Sequence, residues 1–287
     1  MPIDPDVAIG AVLPEFGLSW TSSDVLLYHL ALGAGADPTD ARELRYATEK
    51  DLQVLPTFAV VAHTLGATAP PKVSYPGIEI DLRKVLHGTQ RIDVHAPLAT
   101  EGKAKAVTRV ANVYDKGSAA VVVTETVVTD LDGTPLWTNT SSIFARDEGG
   151  FGGERGPSGK VELPDRDPDH VISSPTLPQQ ALWYRLLGDR NPLHSDPEFA
   201  AAAGFPAPIL HGLGSYGIVC KALTDTIVDG AASRVRSFGV RFAGVVYPGE
   251  TLRTEAWELS PGRYAVRTTV VERDAPALAD AIFEVNA

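Results

Sequence analysis

The chain carries one plan twice, on either side of a segment that cannot be regular, and nothing else in the sequence limits the possible folds so tightly. Residues 147–170, DEGGFGGERGPSGKVELPDRDPDH, hold six glycines and three prolines among many charges. Such a stretch sustains neither helical nor alternating periodicity and reads as a linker. It divides the 287 residues into 1–146 and 171–287, each of ordinary domain size. Each half opens on an apolar helical pattern that ends in glycine, over 25–33 in the first and 181–188 in the second. Each continues with an apolar entry into a longer helix, at 54–61 and 209–216. β-rich runs follow, introduced by Leu86-His87-Gly88 and by Tyr247-Pro248-Gly249. Every one of these features returns roughly 155–161 residues later, and an offset so nearly constant marks an internal duplication.

Alternation and β-branched residues predict strands over 120–128, 251–257, 264–271 and 279–285. Turn signals such as Asp132-Gly133 and Pro261-Gly262 separate them. The expected class is α+β. Each half should be one long central helix against an antiparallel sheet, because a sheet with one apolar face needs a cover. The two sheets can join edge to edge, which removes two exposed edges.

With 25 basic and 36 acidic residues the net charge is −11, so nucleic acid and anionic membrane are excluded as main partners. A polyanionic small ligand needs only a local cation and stays open. No run approaches the roughly 18 apolar residues of a membrane helix. The acidic start Met1-Pro2-Ile3-Asp4-Pro5-Asp6 lacks the layout of a signal peptide. One cysteine, Cys220, can form no internal disulfide, and it fits a reducing cytoplasm.

The chemistry-bearing residues lie in the second half. The helix ending at Gly188 cannot continue through Asn191-Pro192, since a residue before proline is pushed out of the helical region. A new helix should begin with Asp196 as N-cap and Pro197 at its first position, and end at Gly204. Asp189 and His194 are thereby confined to a short rigid loop, where a carboxylate and an imidazole can converge on one water molecule. Taken alone, residues so placed are more often a loop cap and a packed histidine than a catalytic pair. Gly212 should open a helix running to about residue 228. Its free N–H, at the positive end of the helix dipole, suits an oxygen that develops negative charge.

The run Gly188-Asp189-Arg190-Asn191-Pro192-Leu193-His194, followed by Ala200, resembles the signature of the type 2, R-specific enoyl-CoA hydratases of the MaoC-like family. The similarity extends over nearly the whole chain, through Val85-Leu86-His87-Gly88, Asp115-Lys116-Gly117, Gly149-Gly150-Phe151-Gly152-Gly153, Pro208-Ile209-Leu210-His211-Gly212 and Tyr247-Pro248-Gly249. Leu187 departs from the small residue usual in the family. The resemblance implies a double hotdog fold with one active site, and reversible hydration of a trans-2-enoyl-CoA to the (3R)-3-hydroxyacyl-CoA. It implies Asp189 and His194 as the dyad that activates water, Asn191 as an aid in holding that water, and the Gly212 N–H as donor to the thioester oxygen. It further implies that His87, Gly88, Lys116, Arg190 and Phe242 serve the acyl-CoA site. No metal or redox cofactor is needed, CoA arrives with the substrate, and a homodimer is the family's form. A hotdog acyl-CoA thioesterase and a non-catalytic acyl-CoA binder are the alternatives.

Other motifs carry less. Gly212-Leu213-Gly214-Ser215-Tyr216-Gly217 matches GxGxxG, but Pro206-Ala207-Pro208 breaks the lead-in where a dinucleotide site needs a strand. Ser215 lacks the first glycine of a nucleophile elbow. His194, Asp196 and His211 lack metal-site spacing, with Asp196 better explained as a cap. Asn139-Thr140-Ser141 is a glycosylation pattern without use in a cytoplasm, and Cys220 reads as a small core residue. The first half has Pro56-Thr57 in place of His211-Gly212 and no counterpart of His194. It should hold no second site, and its apolar stretch over 55–65 is expected to house the acyl tail.

Overall fold

The computed structural model describes residues 3–69, 74–80 and 85–286, so the first two residues of the acidic N-terminus lie outside it. The strands are β1 (Phe16–Trp20), β2 (Val85–Val94), β3 (Gly102–Asp115), β4 (Ala119–Thr129), β5 (Pro135–Arg146), β6 (His170–Pro175), β7 (Val235–Phe242), β8 (Thr251–Ser260), β9 (Arg263–Val270) and β10 (Ala275–Val285). The helices are α1 (Pro5–Ala8), α2 (Ser22–Ala31), α3 (Ala41–Ala47), α4 (Gln180–Tyr184), α5 (Pro197–Ala202) and α6 (Gly212–Val228). All ten strands form one antiparallel sheet in the order β1-β3-β4-β5-β2-β7-β10-β9-β8-β6. The first five come from the first half and the last five from the second. The halves meet where β2 pairs with β7, from Thr89 opposite Arg241 to Asp93 opposite Ser237. This is the edge-to-edge junction expected of a duplicated plan, and it hides one edge of each half-sheet.

Residues 147–169 contain no helix or strand, the last linker residue, His170, opening β6, and side chains of both halves hold the segment. The Asp115 carboxylate accepts the N–H groups of Gly117, Gly150 and Gly152. Farther along, Val161 donates to the Asp280 carboxylate, and the Trp257 indole donates to the Arg166 carbonyl.

The expectation of a long helix in both halves is half wrong. In the second half α6 runs for 17 residues, and its buried Tyr216, Val219, Cys220 and Leu223 fill the hollow of the sheet. Tyr216 stacks on Phe238 at 4.8 Å and donates its hydroxyl to the Phe238 carbonyl at 2.7 Å. In the first half the corresponding entry makes only a 3₁₀ turn, Pro56–Val60, followed by turns to Gly66 at φ +77°. β-branching alone does not stop a helix, since α6 carries Ile218, Val219, Thr224, Thr226, Ile227 and Val228; what sets this segment apart is that Thr64 and Ala67 bond the Leu187–Arg190 stretch of the second half. The Thr64 hydroxyl lies within hydrogen-bond distance of two carbonyls, Val61 in its own turn and Leu187 in the other half, and its one proton is shared between them.

The halves are packed into one core. A Cβ on Gly217 would come within 2.6 Å of the Tyr28 hydroxyl and of Leu32 Cδ2, so the glycine is what lets α6 approach the α2 side chains. Lys221 of α6 pairs with Glu43 of α3 at 2.6 Å and with Asp225 at 2.9 Å, while the Tyr46 hydroxyl donates to Asp225. Tyr28 and its repeat counterpart Tyr184 are both buried, their ring centroids 6.4 Å apart.

Candidate active site

The loop between α4 and α5 is shaped by its own sequence. Gly188 takes φ +113°, and a Cβ there would lie 1.9 Å from the Thr64 carbonyl oxygen, so no other residue fits. The Thr64 hydroxyl donates to the Leu187 carbonyl at 2.8 Å, and Arg190 Nε donates to the Ala67 carbonyl at 3.2 Å. The turn segment of the first half thus braces the Gly188–His194 loop of the second. Beyond Gly188, the Asp189 carboxylate accepts the Asn191 N–H, and the Asn191 side chain accepts from Leu193 to cap the 3₁₀ turn Pro192–His194. Asp196 caps α5 as expected, accepting from Glu198 and Phe199.

His194 is buried, and its Nδ1–H donates to the Ile209 carbonyl at 2.8 Å. That bond fixes the tautomer and leaves Nε2 with its lone pair free. Donor atoms of Asp189, His194 and His211 all lie within 4.8 Å of one another. Burial holds the His194 imidazole below its ordinary pKa, with the Asp189 charge acting in the opposite direction. A neutral imidazole beside a carboxylate in a desolvated loop can accept a proton from water and return it.

The remaining groups arrive from two directions. Gly212 is the first residue of α6, and a Cβ there would sit 3.1 Å from the Phe242 ring. Phe242 in turn lies against His87, with centroids 4.6 Å apart. His87 belongs to the first half. A bulge in β2 places it, with Gly88 as the extra residue against Ser142, where a Cβ would come within 2.8 Å of Oγ. The His87 ring bonds the Ser141 hydroxyl at 3.0 Å, and burial pushes its pKa down to about 4 against the pull of Asp189. The junction of the two half-sheets therefore gathers Asp189, His194, Gly212, Phe242, His87 and Gly88. Asn191 and Arg190 shape and anchor the loop.

Lys116 stands apart. It sits in the turn between β3 and β4, donates to the Arg155 carbonyl and lies 5.6 Å from the Tyr114 ring centroid. Register runs from His87 through Ile143 and Val122 to Val113, so Lys116 is at the same end of the sheet as His87, three strands across. At about 4.8 Å per strand that is about 14 Å.

Two neighbours of Asp189 and His194 were not among the expected site residues. The His211 ring stacks on His194 with centroids 3.7 Å apart and planes at 26°, and it approaches Tyr184 at 4.9 Å. Thr64 braces the loop from 124 positions before Gly188. Neither contact has a local signal, because both join segments that only the fold brings together. Asp189, His194 and His211 are the described residues that could hold a metal. A metal takes an imidazole lone pair in the ring plane at about 2.0–2.1 Å. His194 already spends Nδ1 on the Ile209 carbonyl and His211 turns Nε2 toward the Asp189 carbonyl, so each ring has one nitrogen left for a ligand.

Comparison with known proteins gives this geometry its relatives. Residues 160–280 match the model of the MaoC like domain, and residues 18–147 match the MFE-2 hydratase 2 N-terminal domain. The chain is 58% identical over 270 residues to enoyl-CoA hydratase ChsH3 of Mycobacterium tuberculosis, covering 94% of each. It is 38% identical to peroxisomal multifunctional enzyme type 2 of Mus musculus, over 88% of this chain and 34% of that longer protein. The crystal structure of a MaoC-like dehydratase from Phytophthora capsici superposes with a TM-score of 0.89 at 29% identity, over 99% of this chain and 98% of that one. A Mycobacterium tuberculosis structure described as a double hotdog, at 13% identity and TM-score 0.58, shares the fold alone. The architecture is a double hotdog in which, among the described residues, only the second half has a long central helix.

Proposed function

The chain belongs to the MaoC-like hydratase 2 family, and on that premise we propose that it adds water reversibly across the double bond of a trans-2-enoyl-CoA to give the (3R)-3-hydroxyacyl-CoA. The observation that carries the reading is the convergence of Asp189 and His194 beside the N-terminus of α6. Water held between the carboxylate and the free His194 Nε2, with Asn191 beside it, gives up a proton as its oxygen bonds to C3. The dyad returns a proton to C2, so one water is added and nothing is oxidised. Charge that builds on the thioester oxygen is met by the Gly212 N–H, which has no acceptor within its own helix. No metal or redox cofactor enters this scheme.

The first half supplies His87 and Gly88 and, in this reading, room for the acyl tail. Its sheet is covered by a short turn where the second half has α6, and Leu55, Ala59, Val60 and Ala62 line that cover. Phe242 flanks the thioester, Arg190 holds the loop, and Lys116 meets the anionic nucleotide of CoA. Lys116→Ala is expected to raise KM for crotonyl-CoA about tenfold, leave kcat nearly unchanged and weaken the salt dependence. A pure kcat defect would remove Lys116 from the CoA site. The domain limits proposed are 1–146, 147–170 and 171–287.

Among the described residues no helix is long and apolar enough to cross a membrane. The enzyme is proposed as a cytoplasmic homodimer. Its lone thiol is buried, and Leu182, Trp183 and Leu186 are exposed together on and after α4, where a second copy could cover them. Sedimentation of the purified protein tests the dimer. The hydration assay follows loss of the enoyl-thioester chromophore beside a free-thiol reagent. Loss of the chromophore without thiol release is expected; thiol release would favour a thioesterase, and inertness a binding role.

A further inference from the structure

The hydration scheme uses Asp189 and His194 and gives no task to His211, although that side chain touches both. Its ring is 1% exposed and stacked on His194. One edge, Nε2, faces the Asp189 carbonyl oxygen at 3.4 Å, a long contact; the other nitrogen, Nδ1, is buried without a partner. A buried imidazole whose nitrogens are so poorly used calls for an explanation. What it uses well is its face.

Resting on the proposed hydration, we infer that His211 is a positioning residue, the platform whose uncharged face fixes the plane of the His194 ring and lets His194 alone carry the proton taken from water. Two imidazoles in face contact do not both become charged. Arg185, from the turn after α4, adds a positive charge that disfavours protonation of His211. Burial and the nearby His194 push His211 well below its ordinary value, whereas the Asp189 carboxylate favours the charged form of His194. The other groups bearing on the pair are Tyr184 of α4, buried and held neutral, and His87 of β2, also neutral by burial. The stacked pair is therefore asymmetric, with one ring placed to titrate and the other to stay neutral.

His211→Phe keeps the face and loses the edge donor, His211→Gln keeps a donor toward the Asp189 carbonyl and loses the face, and His211→Ala loses both. For crotonyl-CoA the expected kcat is within threefold of wild type for Phe and at least tenfold lower for Gln and Ala, with KM within twofold in all three. In Ala, water enters the space left by the ring and relieves the burial that depresses His194. The acid limb of log kcat against pH should then move to higher pH, and in Phe it should stay. Ring-proton NMR titration of His194 should show the same shifts whether or not the protein turns over substrate, so inert wild type would sink the hydration reading while leaving the stack tested. Circular dichroism checks that each variant is folded, and the Gln result stands without the Phe variant. Loss in Phe as large as in Ala would assign the role to a nitrogen. Wild-type kcat and an unmoved His194 titration in Ala would reduce His211 to packing.

Discussion

The two halves begin from one plan and differ at the residues that matter most. In the second, Gly188 turns the chain so that Asp189 and His194 face the start of α6, whose first residue is Gly212. In the first, the helix of the same place gives way at Gly33 to Ala34-Gly35-Ala36-Asp37-Pro38, where the Glu43 carboxylate is spent on the Gly35 N–H and no histidine follows in the place of His194, and Pro56-Thr57 replaces His211-Gly212. There His29 is a satisfied core histidine, its Nδ1 on the Tyr46 carbonyl and its Nε2 accepting the Leu55 N–H. Both halves thus keep the sheet, and on the proposed reading the chemistry falls to the second. The first half still contributes to that loop, because the segment where its long helix was expected supplies Thr64 and Ala67 to Leu187 and Arg190.

The largest effect should come from the chemical side of this contrast. Asp189→Asn and His194→Gln should each lower kcat about 10³-fold, the scale of positioned acid–base catalysis. Their double variant should be little worse than either, because the two act on one water. Additive losses would separate the residues into different steps.

Next comes the contact between the halves. Gly188→Ala forces a Cβ against the Thr64 carbonyl at a φ unfavourable to alanine, and should lower stability by about 2–4 kcal/mol and kcat about 10²-fold. Unchanged activity and Tm would show that the loop needs no such bracing. Ala59→Trp fills the proposed tail region of the first half, and in folded protein should depress kcat/KM for long enoyl-CoAs at least tenfold while sparing crotonyl-CoA. Equal losses on both substrates would leave the first half only a scaffold.

Stability should fall on acidification. His29 and His87 are held neutral by burial, at about 3 and about 4, so below pH 6.5 the unfolded chain binds protons that the folded one refuses. The stability each confers is whole above the ordinary histidine pKa and is lost as pH falls toward the depressed values, by up to about 1.4 kcal/mol per unit for each group. Urea unfolding between pH 7 and pH 4 checks the sign. The smallest effect expected is that of Thr64→Val, about 1 kcal/mol with a kcat loss of a few fold, from one hydrogen bond to the loop.

Much of this was legible in the sequence because it is locally encoded. The caps at Asp196 and Gly204, the start of α6 at Gly212 and the turns at Gly133 and Gly262 are set by residues within a few positions of them. The duplication and the loop signature were equally plain. What escaped depends on distant partners. The first half's long helix was expected from an apolar run, and the turn found in its place is bonded through Thr64 and Ala67 to a loop more than a hundred residues away. The stacking of His211 on His194 needs two segments that meet only in the folded chain.

The central claim is that one dyad, in the second half alone, hydrates an enoyl thioester. It is tested most directly by incubating purified protein and His194→Gln with crotonyl-CoA and resolving the configuration of the product. The account predicts (3R)-3-hydroxybutyryl-CoA from the wild type, no thiol release, and about 10³-fold slower formation in the variant. A (3S) product, hydrolysis of the thioester, or undiminished turnover by His194→Gln would contradict it.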